Sequence, residues 1–285
     1  MKENGFPRTV TILGVGLIGA SIGRGLLNRG CVKKVVGWGR NSEKLQLAKN
    51  LGAISEFSVE LKSAVRDADL VVVCVPVRKV AEMVRGAAKF AGHGTLFTDV
   101  GSTKKRIVQE IGREDLENAC RFVAGHPIAG KEDHSLEASD GELFVGRTTV
   151  LTPTEKSDAK DIRCLRHFWE SLGSKVLEMT PESHDAALAQ TSHLPHVLAC
   201  VLSKIVPEEL YPLAGTGFAS TSRVASGGVE VWRDILLENA EALQECLGRA
   251  EKEIGQLREM LRNQDEVSLE SFLMEAKKKR ESLRG

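Results

Sequence analysis

Three short polar segments, each directly after an apolar run, carry side chains that can move protons or bind anions. They are Val75-Pro76, Asp99–Lys104 and Gly125–Gly130. A histidine can accept a proton near neutral pH, and a serine hydroxyl can donate or accept a hydrogen bond beside it. Glycines and a proline flank His126, which predicts that its side chain lies in a turn rather than on a packed face. His126 and Ser102 are therefore the candidate catalytic residues.

Further polar side chains lie later in the chain. Ser192 and His196 are four residues apart, so on a helix they share one face, whereas His193 points elsewhere. No carboxylate or cysteine at ligand spacing completes a metal site with the two histidines, so no metal is predicted. Arg223 ends a run of small residues, 217–223, that is suited to directing a guanidinium at a carboxylate. An ordinary surface arginine is the alternative.

The glycine-rich segment Gly14-Val15-Gly16-Leu17-Ile18-Gly19 follows a predicted strand and opens a predicted helix. Gly14 would permit a tight turn, Gly16 would let the backbone approach a pyrophosphate, and Gly19 would let helix and strand pack closely. The helix beginning at Leu17-Ile18 would present its N–H groups and the positive end of its dipole to the phosphates. The segment predicts a dinucleotide-binding Rossmann domain.

The end of the second predicted strand bears on the choice of cofactor. Rossmann domains that bind NAD usually place an acidic residue there, where it holds the ribose 2′-hydroxyl. Here Gly39 takes that position and Arg40 and Asn41 follow it. With no carboxylate to repel a 2′-phosphate, Arg40 could bind one, so NADP is favoured over NAD. A solvated Arg40 is the alternative. Val75 and Pro76 should border the cofactor from a neighbouring strand.

The elements that must position these residues alternate between strand and helix up to about residue 181. Helices are predicted from Leu17 to Gly30 and over 43–51. Repeated strand–helix–strand units predict an α/β Rossmann domain with a mostly parallel sheet over residues 1–181. The predicted strands are 10–13, 35–38, 70–75, 96–100, 122–124, 148–151 and 175–179.

Residues 182–285 show no convincing strand and are predicted to form an all-α domain. The run 184–206 is predicted to be a helix bent at Pro195. One long helix is predicted from about Val231, with an apolar seam that would pack on a neighbouring helix, either within the chain or across a homodimer. The seam residues are Leu236, Ala240, Leu243, Leu247, Ala250, Ile254, Leu257 and Leu261.

Composition narrows the class of protein. The 285 residues include 39 Lys plus Arg and 39 Asp plus Glu, so the formal charge is zero. That balance gives no electrostatic argument for nucleic acid or an anionic membrane as a partner. No apolar run reaches the roughly 20 residues that span a bilayer. Six cysteines without a C-x-x-C pair, and an N-terminus without a signal-peptide pattern, predict a reducing, cytoplasmic location.

Several segments in shared order resemble the prephenate and arogenate dehydrogenases of tyrosine biosynthesis. They are GVGLIGAS, CVPV, DVGSTK, GHPIAGKE, LFVGRTTVLTP and TSHLPH, followed by Arg223 and, nine residues later, Trp232. The resemblance covers nearly the whole chain. It implies a Rossmann domain followed by a helical dimerisation domain. The activity it implies is oxidative decarboxylation of prephenate to 4-hydroxyphenylpyruvate, or of arogenate to tyrosine, with hydride transfer to NAD(P)+.

The resemblance also implies roles for individual residues. His126 would act as the base on the ring hydroxyl, Ser102 would orient His126, and Arg223 would hold the side-chain carboxylate. The residues implied to line or close the substrate pocket are Ser192, His196, Glu132 and Trp232.

The chain also departs from the family pattern. Ala219-Ser220 stands where many members have Arg-Asp, so a contact across the pocket made by that acid is absent here. Two alternatives stay open. One is a β-hydroxyacid-type dehydrogenase, which would need a catalytic lysine such as Lys204. The other is a non-catalytic NADP-sensing dimer, which would have no need of His126, Ser102 and Arg223.

Overall fold

The computed structural model describes residues 6–284; residues 1–5, part of the N-terminus assessed for a signal peptide, and Gly285 lie outside that range. The strands are β1 Thr9–Leu13, β2 Lys34–Trp38, β3 Glu56–Ser58, β4 Leu70–Val73, β5 Leu96–Asp99, β6 Arg121–Phe122, β7 Ala124–Pro127, β8 Thr148–Thr152 and β9 Lys175–Glu178. The helices are α1 Leu17–Asn28, α2 Ser42–Asn50, α3 Leu61–Val65, α4 Val80–Ala88, α5 Lys105–Ile111, α6 Ala159–Ser171, α7 Pro181–Leu188, α8 Leu194–Ile205, α9 Thr216–Ser222, α10 Val229–Glu238, α11 Ala240–Asn263 and α12 Glu266–Glu281.

The first six strands form a parallel sheet in the order β3-β2-β1-β4-β5-β6. Its central strands are apolar on both faces because helices cover both sides of the sheet. Val10 of β1, for example, lies between Val35 of β2 and Leu70 of β4, and all three side chains are fully buried. This sheet and the helices after it confirm the predicted Rossmann-type α/β fold. The short edge strand β3 was not predicted.

The last three strands form a second sheet, with β7 antiparallel to β8 and β8 parallel to β9. The predicted strand 122–124 is thus divided between two sheets. The prediction that His126 lies in a turn was wrong, because His126 pairs with Val150 of β8 inside β7. Gly125 lets β7 pass β5 closely: a Cβ there would lie 3.1 Å from the carbonyl oxygen of Asp99.

From Pro181 onwards the regular elements of the chain are helices. The side chain of Thr180 caps α7 by accepting a hydrogen bond from the backbone N–H of Ser183, and Pro181 occupies the first turn. The bend expected at Pro195 takes the form of a π-helical turn, Ala189–His193, between α7 and α8. Pro195 has no N–H to donate to the carbonyl four residues earlier, which favours a local change of helical pitch.

The single long helix predicted from Val231 was wrong, because the structure breaks it at Asn239. That residue has φ −114° and ψ 29°, and it separates α10 from α11. Its side-chain amide donates to the carbonyl oxygen of Asp185 (2.8 Å) and lies 3.1 Å from Nδ1 of His193. These tertiary hydrogen bonds compete with a continuous helix, and the apolar spacing on either side does not reveal the break.

By its internal contacts the chain divides into two compact units, Met1–Asn239 and Ala240–Gly285. The first contains both sheets and helices α1 to α10, and the second is the helical pair α11 and α12. No disulfide joins any of the six cysteines. Within residues 6–284, none of the helices has the length and apolar character needed to cross a membrane.

One stretch of the first unit contributes no buried residue to the core of that unit. From residue 200 to residue 234 no residue is buried, although the stretch includes the end of α8, all of α9 and the first six residues of α10. Apolar side chains are exposed along it, among them Leu213 at 83% and Val229 at 82%. We refer to residues 200–234 as the coreless segment.

Candidate active site

The turn after β1 has the geometry predicted for a dinucleotide loop. Gly14 has φ +99°, and a Cβ there would lie 2.5 Å from the carbonyl oxygen of Cys74. A Cβ at Gly19 would lie 2.4 Å from the carbonyl oxygen of Gly14 and 2.8 Å from Cγ2 of Ile12. Val75-Pro76 follows β4 beside this turn, with Val75 Cγ1 3.4 Å from the Gly14 Cβ position. Only glycine therefore fits at position 14 and at position 19.

The start of α1 fits a bound pyrophosphate. Gly16 is the N-cap, no side chain caps the helix, and its first turn holds no acidic residue. A Cβ added at Gly16 would meet nothing within 4 Å, so the loop faces open space there. The side chains of Leu17 and Ile18 pack into the core, which leaves the backbone N–H groups of this turn for an anion.

The residues after β2 form a corner that is open to solvent at Arg40. Arg40 is exposed and makes no ion pair with another described residue. The side chain of Asn41 caps α2 by accepting the backbone N–H of Lys44 at 2.9 Å, so it shapes this corner. A Cβ at Gly39 would make only ordinary contacts, the nearest being Leu45 Cδ2 at 3.5 Å. The corner therefore has room for a larger residue.

A chain of buried hydrogen bonds begins at His126. Nδ1 of His126 lies 2.8 Å from Nε2 of His184, and Nδ1 of His184 lies 2.7 Å from Oδ1 of Asp185. The carboxylate of Asp185 also accepts the backbone N–H groups of Lys104 (2.8 Å) and Lys105 (3.0 Å). His126, His184 and Asp185 are all buried. The chain connects a strand of the second sheet with the start of α5 through α7.

A buried ion pair fixes the beginning of β7. Lys104 Nζ contacts the carboxylate of Asp99 and donates to the carbonyl oxygen of Gly125 (2.8 Å), and both charged side chains are fully buried. Asp99 also accepts the backbone N–H groups of Gly101 (2.8 Å) and Gly125 (3.1 Å). Burial lowers the pKa of Lys104, and the opposing charge of Asp99 resists that shift. The pair thereby positions His126.

The surroundings of His126 keep its ring neutral. Its pKa lies well below the usual 6.5, chiefly because of burial and also because of electrostatic interactions with His184, Lys104 and His193. Burial likewise lowers the pKa of His193 to about 4. A neutral His126 can accept a proton at pH 7.

Two of the predicted pocket residues, His196 and Trp232, form a stacked aromatic pair. The rings of His196 and Trp232 stack with centroids 3.5 Å apart and an angle of 8°. A Cβ at Gly227 would lie 2.3 Å from Nε1 of Trp232, so only glycine leaves room for the indole. Nδ1 of His196 is buried without a hydrogen-bond partner among the described residues. A buried polar atom of this kind is suited to bind a ligand.

Two predicted substrate residues contact each other. Nη1 of Arg223 donates to Oε1 of Glu132 at 2.6 Å, and their side chains are 59% and 70% exposed. Ser192 lies in the π-helical turn and is partly buried. Ser102 follows β5, also partly buried, and among the described residues it makes no hydrogen bond to His126. Nδ1 of His126 is instead hydrogen-bonded to His184.

Sequence reasoning missed four residues of this site. Asp99 and Lys104 were visible as charges at the end of an apolar strand, but only Ser102 between them was singled out. His184-Asp185 follows a helix start and resembles an ordinary helix surface. No group of three potential metal ligands lies together in residues 6–284.

Comparison with protein-family models gives two matches. Residues 22–178 match the model described as prephenate dehydrogenase, nucleotide-binding domain. Residues 180–275 match the one described as prephenate dehydrogenase, dimerization domain.

Curated relatives agree with this match. The chain is 31% identical over 287 residues to the prephenate dehydrogenase of Bacillus subtilis, covering 98% of this chain and 77% of the relative. It is 32% identical over 285 residues to the cyclohexadienyl dehydrogenase of Zymomonas mobilis, covering 96% of each.

Solved structures are similar over nearly the full length. The Aquifex aeolicus prephenate dehydrogenase in complex with hydroxyphenyl propionate and NAD+ superposes with a TM-score of 0.89 at 33% identity, covering 97% of this chain and 98% of that one. The Synechocystis arogenate dehydrogenase gives a TM-score of 0.83 at 28% identity, covering 96% and 99%. A 3-hydroxyisobutyrate dehydrogenase of Mycobacterium tuberculosis, at 15% identity and a TM-score of 0.52, shares the fold alone.

Proposed function

The chain belongs to the prephenate dehydrogenase family, and we propose that it oxidatively decarboxylates prephenate or arogenate with a nicotinamide dinucleotide as oxidant. The observation that carries this proposal is His126, a buried, neutral imidazole whose Nδ1 is engaged by His184. Nε2 is then the nitrogen that can take a proton from substrate.

The chain's own residues supply proton transfer and orientation. When bound, a nicotinamide dinucleotide would supply the acceptor for the hydride of the ring carbon that bears the substrate hydroxyl. His126 accepts the hydroxyl proton, and the ring then loses carbon dioxide and becomes aromatic. That gain of aromaticity makes the reaction effectively irreversible. Ser102, which follows β5 and makes no hydrogen bond to His126 within residues 6–284, would lie near the nicotinamide.

We propose that Arg223 binds the side-chain carboxylate of the substrate. Its guanidinium is exposed and, among residues 6–284, pairs only with the exposed Glu132, so a substrate carboxylate can replace that partner at little cost. His196 and Trp232 would form one wall of the pocket, and the unpartnered Nδ1 of His196 would serve as a polar contact. Ser192 would line the same pocket.

For the cofactor, we propose NADP in preference to NAD. The residues that would hold the dinucleotide are Gly14, Gly16, Leu17, Ile18 and Gly19 at the pyrophosphate, Val75 and Pro76 beside them, and Gly39, Arg40 and Asn41 at the ribose. The support for NADP is the unpaired, exposed Arg40 beside a glycine where an acid would select NAD.

We propose that residues 1–181 form the nucleotide-binding domain and that residues 182–285 form a helical substrate and dimerisation domain that joins two copies of the chain. The match of residues 180–275 to a dimerization domain supports this assembly. So do the exposed apolar side chains of the coreless segment, since large apolar patches mark interfaces. The absence of disulfides among the six cysteines supports a reducing compartment, and we place the protein in the cytoplasm.

One assay tests the proposed function. Purified protein is mixed with prephenate, arogenate or a 3-hydroxyacid, each with NAD+ and with NADP+, and the absorbance of reduced cofactor is followed. We expect turnover of at least one cyclohexadienol, and a lower KM for NADP+. Turnover of the hydroxyacid alone would support the β-hydroxyacid alternative. Binding of NADP+ without turnover of any substrate would support the sensor.

A further inference from the structure

The hydrogen bonds of Asp185 determine the direction of the chain that ends at His126. A carboxylate only accepts, and Asp185 already accepts two backbone N–H groups, from Lys104 and Lys105. Its contact with His184 must therefore be a hydrogen bond donated by the ring, 2.7 Å from Nδ1 to Oδ1. His184 in its neutral form then carries its proton on Nδ1.

This assignment fixes the next link as well. With its proton on Nδ1, neutral His184 has only a lone pair on Nε2, and that atom lies 2.8 Å from Nδ1 of His126. His126 must be the donor in this contact, so it also carries its proton on Nδ1. The lone pair of His126 is consequently on Nε2, the nitrogen that makes no hydrogen bond to any described residue.

We propose that His184 and Asp185 are positioning residues of the reaction: they hold His126 in the tautomer that leaves Nε2 free to act as the base. They would also stabilise the positive charge that His126 gains with the substrate proton. The proposal rests on the proposed function. The arrangement performs the task of the carboxylate that orients histidine in serine hydrolases, with a second histidine between the two groups.

The packing around the pair supports a dedicated role. Besides its carboxylate contacts, Asp185 offers its carbonyl oxygen to Asn239, whose side chain also reaches Nδ1 of His193. A buried polar chain costs free energy unless each member is satisfied, and apolar side chains could fill the same space. Here the chain from Asp185 through His184 ends at Nδ1 of His126, and the other hydrogen bonds hold Asp185 in place.

Two variants of His184 separate positioning from packing. His184→Gln keeps a carbonyl oxygen that can accept from Nδ1 of His126, whereas His184→Phe keeps the ring and loses the acceptor. We expect His184→Phe to lower kcat about 100-fold or more, with KM for substrate changed little, because the base loses its tautomer. His184→Gln should recover much of that kcat. The matched control is His93→Phe, which changes an exposed histidine.

A spectroscopic measurement makes the test independent of turnover. Nitrogen-15 NMR of the neutral histidines reports which ring nitrogen carries the proton, and the His126 signals are assigned by their loss in His126→Asn. We expect the Nδ1–H tautomer for His126 in the unaltered protein and in His184→Gln, and the Nε2–H tautomer in His184→Phe. Should His184→Phe fail to fold by circular dichroism, His184→Asn replaces it, since its shorter amide can reach Asp185 but not His126.

The outcomes are distinct. An Nε2–H tautomer on His126 in the unaltered protein would overturn the proposal, as would a folded His184→Phe with unchanged kcat. Failure of the unaltered protein to oxidise any cyclohexadienol would instead count against the proposed function. The NMR result would still decide whether His184 sets the tautomer of His126.

Discussion

His126 and Arg223 represent two differently built sides of the candidate site. His126 is 7% exposed, and a continuous chain of hydrogen bonds and an ion pair fix its position. The side chain of Arg223 is 59% exposed, lies in the coreless segment, and has one charged partner in the described part of the chain, Glu132. With the roles proposed above, the protein preorganises the group that would move the proton and leaves the group that would bind the carboxylate to be ordered by its ligand.

This difference has an energetic basis. Groups that act on charge developing in the transition state are most effective when they need no reorganisation, which burial and satisfied hydrogen bonds provide. A binding group must instead let substrate enter and leave. An exposed ion pair stabilises such a group in its unliganded position by only about 0–1 kcal/mol. Four predictions test the contrast, in decreasing order of expected effect.

The largest effect should come from His126→Asn. We expect kcat to fall about 10²- to 10⁴-fold, because general-base catalysis contributes that much, while KM for substrate stays nearly unchanged. Steady-state kinetics at pH 7 measure both quantities. The exposed His134→Asn is the matched control and should behave as the unaltered protein. If His126→Asn turned over substrate as fast as the unaltered protein, His126 would not be the base.

Arg223→Ala should affect binding more than chemistry. The loss of a hydrogen bond between charged groups, about 1.5–3 kcal/mol, predicts a rise in KM of about 10- to 100-fold. The melting temperature should hardly move, because the pair with Glu132 is exposed. Arg233→Ala is the control, because Arg233 of α10 is similarly exposed, at 58%, and pairs with Asp234 instead of Glu132. A fall in melting temperature with unchanged KM would mean that Arg223 is a structural residue.

Gly39→Asp should shift the choice of cofactor towards NAD+. A carboxylate there would repel a 2′-phosphate and could hold a 2′-hydroxyl, and the site has room for a Cβ. At an exposed position the repulsion amounts to about 1–2 kcal/mol, so the ratio of kcat/KM for NADP+ to that for NAD+ should fall about tenfold. Gly39→Ala adds the Cβ without charge and should leave the ratio unchanged; an equal change in both variants would point to a steric cause.

The smallest effect on kcat/KM should come from lowering the pH from neutrality through 6.5. The pKa of His126 is lowered by burial and by His184, Lys104 and His193, so the ring loses its base function only when the pH falls well below 6.5. The pH profile of kcat/KM should therefore stay flat through 6.5. The unfolded state, with the higher histidine pKa, binds more protons below 6.5, so stability should decrease as the pH falls. A half-maximal rate at pH 6.5 would show that His126 is solvated.

The contrast also explains what the sequence could predict. The Rossmann sheet followed from local signals, namely buried β-branched strands and the spacing of Gly14, Gly16 and Gly19. The break at Asn239 and the strand position of His126 depend on partners distant in sequence, Asp185 and β8. His184 was missed for the same reason, since its role is visible only once α7 lies beside β7. Long-range hydrogen bonds leave no periodic trace in a sequence.

The coreless segment has a consequence for how this enzyme can change over evolutionary time. Substitutions at exposed positions away from special contacts usually alter stability by less than about 0.5 kcal/mol, whereas those in a packed interior often cost several. Ala219-Ser220 lies at exposed positions of that segment, shortly before Arg223. Outside the surface that the proposed dimer would cover, substitutions can therefore accumulate in the segment at little cost in stability, whereas changes to the buried hydrogen bonds around His126 would cost more.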